Sequence, residues 1–298
     1  MKESLNHIDV HTYHLGRAAT FHNLVTAHFG AMRLLEKFGL VKQRHEPRDK
    51  KRQAWGSLAG KERSFRNIAE HSLVVAMIVD VVTERLEAKG IINREENEQA
   101  VTAACLHDLT KRQELQIQHG IKIPRSTFFN PHRRKKFITR LLDRLQISEK
   151  DRKILGLTEY TGDGLFFTYL QRGEKIEINE SPEELTKWLI CLADYMVAHT
   201  NLVSPEERIK EAKQRNQYSE LEKWWFERLY GKQELEEILE GPYGAQQIND
   251  RLAGIALGYL EQVETQLKEL LDIPQEGSLM DFVQQQIYAR YEANVSDQ

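Results

Sequence analysis

Residues 67–89 read NIAEHSLVVAMIVDVVTERLEAK, and the spacing of their apolar side chains decides the fold class. Ile68, His71, Val75, Ile78 and Val82 recur at three- and four-residue steps, which is the period of one helix face. The run is too long for a strand, and Gly90 supplies a stop just beyond it. One member of the stripe is an imidazole. A histidine buried on an apolar face must find a partner, because an unpaired polar group loses its hydration without compensation.

The same substitution of an ionisable group into an apolar stripe occurs twice more. A helix expected from about Arg94 into Lys111 aligns Ala100, Ala103, Ala104 and His107, with Asp108 alongside. A third, carrying WLICLADYMVAHT, aligns Ile190, Cys191, Asp194, Val197 and Ala198. It opens on Ser181-Pro182-Glu183-Glu184, an N-cap serine followed by proline and acids in the first turn. Each residue alone has a plain explanation: a hydrogen-bonded core histidine, a capping aspartate, an ordinary His-Asp dipeptide. Together, two imidazoles and two carboxylates on three helices are what a single cation would satisfy. Mixed nitrogen and oxygen donors suit Mn, Fe, Co, Ni or Zn better than Ca.

The ordered set Asn67-Ile68-Ala69-Glu70-His71-Ser72, Leu106-His107-Asp108-Leu109 and Leu192-Ala193-Asp194 resembles the HD-domain phosphohydrolases over about residues 65–210. That resemblance implies an all-α HD helical bundle in which His71, His107, Asp108 and Asp194 are metal ligands. RNIAEHSLVVAMIV is similar to the first helix of the 5′-deoxynucleotidase branch. His-Asp-Leu-Thr-Lys looks instead like the His-Asp-x-x-Lys form of phosphodiesterase and signalling branches, with Lys111 placed to meet a phosphate. Two-metal branches carry a histidine pair before a glycine-rich turn; here that stretch is Leu157-Thr158-Glu159-Tyr160-Thr161-Gly162-Asp163-Gly164, without histidine. The implied cofactor is therefore one divalent transition metal (Mn, Co, Fe, Ni or Zn), with Mg also allowed. The implied activity is hydrolysis of a phosphate ester, foremost a nucleotide or related small phosphorylated metabolite. Asp108 is the expected water-orienting group. Lys111, one turn beyond His107, and Arg66, just before the first metal helix, are expected at the phosphate. An HD-type nuclease or cyclic-nucleotide phosphodiesterase, and a non-catalytic nucleotide-sensing module, are the alternatives.

Outward from these helices the pattern stays helical. Phe21, Leu24, Val25, His28, Phe29, Met32 and Leu35 form an earlier amphipathic stripe that Gly39 can stop. Residues 46–66 are polar, basic and glycine-containing, and read as a linker. A basic helix is expected over 133–145, another helix over 149–160, and then FFTYLQRGEKIEI reads as a small β-hairpin near 165–178. Ser204-Pro205-Glu206-Glu207 repeats the helix-start signal. Amphipathic helices follow from about Tyr218, broken at Gly241-Pro242-Tyr243-Gly244 and Pro274-Gln275-Glu276-Gly277. The expected division is N-terminal helices and linker at 1–64, the HD core at 65–210, and C-terminal helices at 211–298 that pack on the core or form an oligomer interface.

Composition narrows the partners. A net charge of −3 gives no global basic field to draw nucleic acid or a membrane surface, and no stretch approaches a membrane span. A phosphorylated small molecule is the favoured partner; nucleic acid is allowed but not favoured, and a homodimer is allowed. The basic run Arg133, Arg134, Lys135 and Lys136, with Arg125 upstream, is a candidate guide for phosphate, though such runs are more often solvated helix faces. His7, His11 and His14 lack an apolar frame. Trp224, Trp225 and Phe226 read as core or an oligomer seam. Cys105 and Cys191 sit in apolar helical sequence as two buried thiols, consistent with a cytoplasmic setting.

Overall fold

The computed structural model describes residues 66–108, 139–140, 143, 148–158, 164–179, 181–198, 201–215 and 220–296. Within them lie ten helices: α1 (Arg66–Ala88), α2 (Arg94–Leu106), α3 (Glu149–Gly156), α4 (Gly164–Arg172), α5 (Pro182–Tyr195), α6 (Pro205–Arg215), α7 (Glu220–Tyr230), α8 (Lys232–Leu239), α9 (Gly244–Leu270) and α10 (Leu279–Ser296). Among the described residues the sole strand pair is β1 (Val197–Ala198) with β2 (Asn201–Leu202), antiparallel, immediately after α5. The fold is all-α.

Helices α1 and α2 form an antiparallel hairpin about Gly90, whose φ of 70° places it where glycine is favoured. Asn93 then starts α2 with a reciprocal cap: its side chain accepts from the Glu96 N–H, and the Glu96 carboxylate accepts from the Asn93 N–H. Partway along the pair Thr83 donates to the Asn97 side chain, and Asn97 donates to Glu87, which fixes how the two helices slide on each other. The apolar stripe of α1 is buried as its spacing requires: Val75, Ile78 and Val82 are all at most 1% exposed. Each such side chain contributes about 1.5–3 kcal/mol of burial. Ala100, Ala103 and Ala104 on α2 are equally buried. Small side chains there let the two backbones approach.

Helix α5 packs on α1, α2 and α9, and α10 packs on α1. One apolar cluster consequently runs from Leu73 on α1 to Ile287 on α10 and includes the fully buried Trp188 of α5 and Val263 of α9. A smaller cluster of Phe167, Phe226, Leu235, Ile248 and Leu252 joins α4, α7, α8 and the start of α9.

The hairpin expected near 165–178 is not formed. Its first arm is helix α4, ended by Gly173 at φ 64°. The aromatics that suggested a strand obey a helical rule instead. Phe166 enters the main core and its neighbour Phe167 the smaller one, a 100° divergence that a strand's 180° alternation would not give. The β-branched residues that favour a strand are concentrated in the second arm, at Ile176 and Ile178. The expected helices over 21–39 and most of 133–145, and the linker over 46–65, lie outside the described residues.

Candidate metal centre

The centre lies where α1 begins and where α2 and α5 end. His71 is one turn into α1, His107 caps the C-terminus of α2 with Asp108 next to it, and Asp194 is the penultimate residue of α5. The antiparallel α1–α2 hairpin brings the first two together, and α5 packs across both. The imidazole rings of His71 and His107 lie 5.3 Å apart, tilted at 60°.

His71 donates from Nε2 to Asp194 Oδ1 at 2.8 Å. His107 Nε2 lies 3.5 Å from the same oxygen and 3.9 Å from Asp108 Oδ2. The other nitrogen of His107, Nδ1, donates to the Ala104 carbonyl at 2.7 Å. That bond settles the ring's role: with the Nδ1 proton committed to the backbone, a neutral His107 presents the Nε2 lone pair to the cluster. Nε2 is fully buried and makes no hydrogen bond of good geometry, its acceptors Asp194 and Asp108 standing at 3.5 and 3.9 Å. A buried nitrogen left without a partner is costly, unless something fills the gap it faces.

Electrostatics follow the geometry. Burial opposes charge on His107, but Asp108 and Asp194 outweigh it and push the imidazole up to about 9. Burial likewise opposes charge on Asp194, yet its contacts with His107 and His71 hold the carboxyl well below the usual range. The two imidazoles form the floor, with side chains at most 8% exposed, and the carboxylates of Asp108 and Asp194 form the rim at 15% and 21%.

Donor atoms of His71, His107 and Asp108 all lie within 4.8 Å of one another and can hold a metal ion. Ligand bonds of about 2.0–2.2 Å put neighbouring donors roughly 3–3.5 Å apart; Asp194 Oδ1 stands 2.8 Å from His71 Nε2 and 3.5 Å from His107 Nε2, and Asp108 Oδ2 3.9 Å from His107 Nε2.

Other expected site residues are not all assembled here. Arg66 belongs to the first turn of α1 by its backbone; Lys111, Arg125 and Arg133 lie outside the described residues. The orienting Ala104 carbonyl was missed from sequence, since a backbone acceptor leaves no residue-type signal. Also missed was the aromatic brace behind α5: Phe166 packs 5.9 Å from Tyr195 and 6.2 Å from Trp188, steadying the end of the helix that carries Asp194. Cys105 and Cys191 are buried free thiols, as expected. None of the helices among the described residues is long and apolar enough to cross a membrane. Protein-family models, curated proteins and solved structures were all compared with the chain, and none matches.

Proposed function

We propose that this chain is a metal-dependent phosphohydrolase of HD type, acting on a nucleotide or a related small phosphorylated metabolite. The observation that carries the reading is the buried cluster of His71, His107 and Asp108 donors within 4.8 Å of one another, with the Asp194 carboxylate against both imidazoles. His71, His107, Asp108 and Asp194 would hold one divalent transition ion. Bound there, it would supply Lewis acidity toward a phosphoryl group and acidify water.

The residues have separable duties. The Ala104 carbonyl fixes the His107 ring so that one nitrogen always faces the site. Asp194 stays ionised across the working pH range because two imidazoles flank it. Asp108, at the rim, would orient water for attack on phosphorus. Lys111, with Arg66, Arg125 and Arg133, is assigned to the substrate phosphate on the strength of sequence position alone.

Elemental analysis of the purified protein should find close to one transition-metal ion per chain. A panel of nucleoside monophosphates, cyclic nucleotides and single-stranded RNA with Mn²⁺ should show turnover of the monophosphates first. Asp108→Ala should lower that turnover by at least about a hundredfold while circular dichroism stays native. Lys111→Ala should raise KM and leave metal content intact. Unchanged activity in Asp108→Ala would remove the assignment of this site.

A further inference from the structure

The seam between α1 and α2 holds a hydroxyl group that makes no hydrogen bond. Ser72 is fully buried, and its Oγ has no partner among the described residues. A helix ordinarily offers such a group the carbonyl four residues back. The hydroxyls of Thr83, Thr102 and Thr265 each take that bond, at 2.8, 2.7 and 2.7 Å. Ser72 does not, so its own helix leaves the proton unused. Burying an unpaired hydroxyl costs free energy that alanine, nearly the same size, would not incur.

The register of the two helices locates this group. Ser72, Ala76, Val79 and Thr83 follow at three- and four-residue steps and share one face of α1. That face is turned to α2, because Thr83 Oγ1 lies 2.7 Å from Asn97 Oδ1. The helices are antiparallel, so each residue back along α1 matches one forward along α2, at about 1.5 Å apiece. Counted from the Thr83–Asn97 contact, Ser72 and Asp108 lie the same number of residues away. They therefore stand at one level of the seam, and the His71–His107 ring pair, 5.3 Å apart, lies beside both.

We infer that Ser72 is a positioning residue for Asp108: its hydroxyl donates to the Asp108 carboxylate when that side chain closes on a bound ion. The inference rests on the metal-centre reading above. Asp108 Oδ2 is 3.9 Å from His107 Nε2, wider than the roughly 3–3.5 Å between donors that share an ion. The carboxylate has to draw inward to become a ligand, toward the buried level at which Ser72 stands. Hydrogen bonds to a ligating carboxylate orient it, and their loss typically lowers metal affinity about ten- to a hundredfold. A hydroxyl with no other bond to break makes that one at no loss.

Ser72→Ala tests this by separating two readouts. Calorimetric titration of the full chain with Mn²⁺ should show an affinity about tenfold weaker than wild type. The chelated variant should melt at or above the wild-type temperature, since it loses an unpaired buried hydroxyl. Val79→Ala, on the same face and equally buried, is the comparison: it should melt lower and bind Mn²⁺ unchanged. In an Asp108→Asn background, Ser72→Ala should raise the Mn²⁺ dissociation constant by less than about twofold, because both substitutions remove the same bond. A wild type that takes up no Mn²⁺ would overturn the metal reading and this inference together. If the wild type binds the ion and Ser72→Ala binds it equally well, this inference alone falls. It falls also if chelated Ser72→Ala melts lower, which would show the hydroxyl already bonded, or if the full tenfold loss persists beside Asp108→Asn.

Discussion

His107 is asked to do two opposed things, and pH shows which one prevails. In the metal-free protein its imidazolium is stabilised by Asp108 and Asp194 and lies at about 9, above the unfolded value of about 6.5. A raised folded value stabilises the fold fully below about pH 6.5, and that contribution is lost as pH climbs through about 9. Asp194, held low, contributes above the normal carboxylate range and is lost only in acid. Chelated protein should therefore melt lower at pH 9.5 than at pH 6, and His107→Gln should flatten that slope. Metal binding needs the lone pair on Nε2, so stabilisation by Mn²⁺ should run the other way and grow from pH 6 to pH 8. Melting curves with and without chelator at these pH values check both signs. A second residue behaves simply. Burial, with the Asp80 charge nearby, pushes the Cys105 thiol up to about 12, so it stays protonated and should resist iodoacetamide at pH 8 until the protein is unfolded. Rapid alkylation of native protein at Cys105 would show that this core opens.

At the scale of elements, caps and corners are where single substitutions tell most. Ser181 accepts from the Glu184 N–H and opens the helix that delivers Asp194. Ser181→Ala should cost about 1 kcal/mol in urea unfolding. Gly244 is stricter. A Cβ there would be driven onto the Ile238 carbonyl oxygen and would lie 2.8 Å from Leu239 Cα, both backbone atoms that cannot swing aside. Gly244→Ala should therefore open the α8–α9 corner at about 1–3 kcal/mol, with Ser181→Ala as the mild comparison. The helices with long stripes or explicit caps, α1, α2, α5 and α6, were legible in the sequence because period and cap chemistry agreed. So were the breaks at Gly241 and Pro274. Helix α4 was not, since four aromatic and β-branched residues before a glycine satisfy strand propensity as well as helix periodicity. What decides there is the presence of two separate cores for Phe166 and Phe167, a tertiary fact. In the site, side-chain chemistry was legible as misplaced ionisable residues. The backbone acceptor on His107 was not, because it depends on how α2 ends.

Across the whole molecule, the centre joins positions 71, 107–108 and 194 through three helices that share one apolar core. Most of that core, from Leu86 and Val82 to Val263 and Val283, is aliphatic and independent of the cluster. The metal-free chain should accordingly remain helical, with the cost of emptiness confined to one end of the bundle. A ligand that binds only the folded state stabilises it by RT ln(1 + [L]/Kd), about 2.7 kcal/mol at a hundredfold excess over Kd, or roughly 5–10 °C in Tm for a chain of this size. Chelation should lower Tm by that order with far-UV circular dichroism intact below the transition, and Mn²⁺ should restore it. Asp194→Asn keeps the shape of the side chain but removes the charge that both imidazoles face, and should make Tm insensitive to Mn²⁺. If chelation instead abolished helicity at room temperature, the ion would be holding the fold up rather than occupying a preformed centre. If neither chelator nor Mn²⁺ moved Tm, and no ion were found, the His71–Asp194 pair would be an ion pair alone, and the proposal of metal-dependent hydrolysis would fall with it.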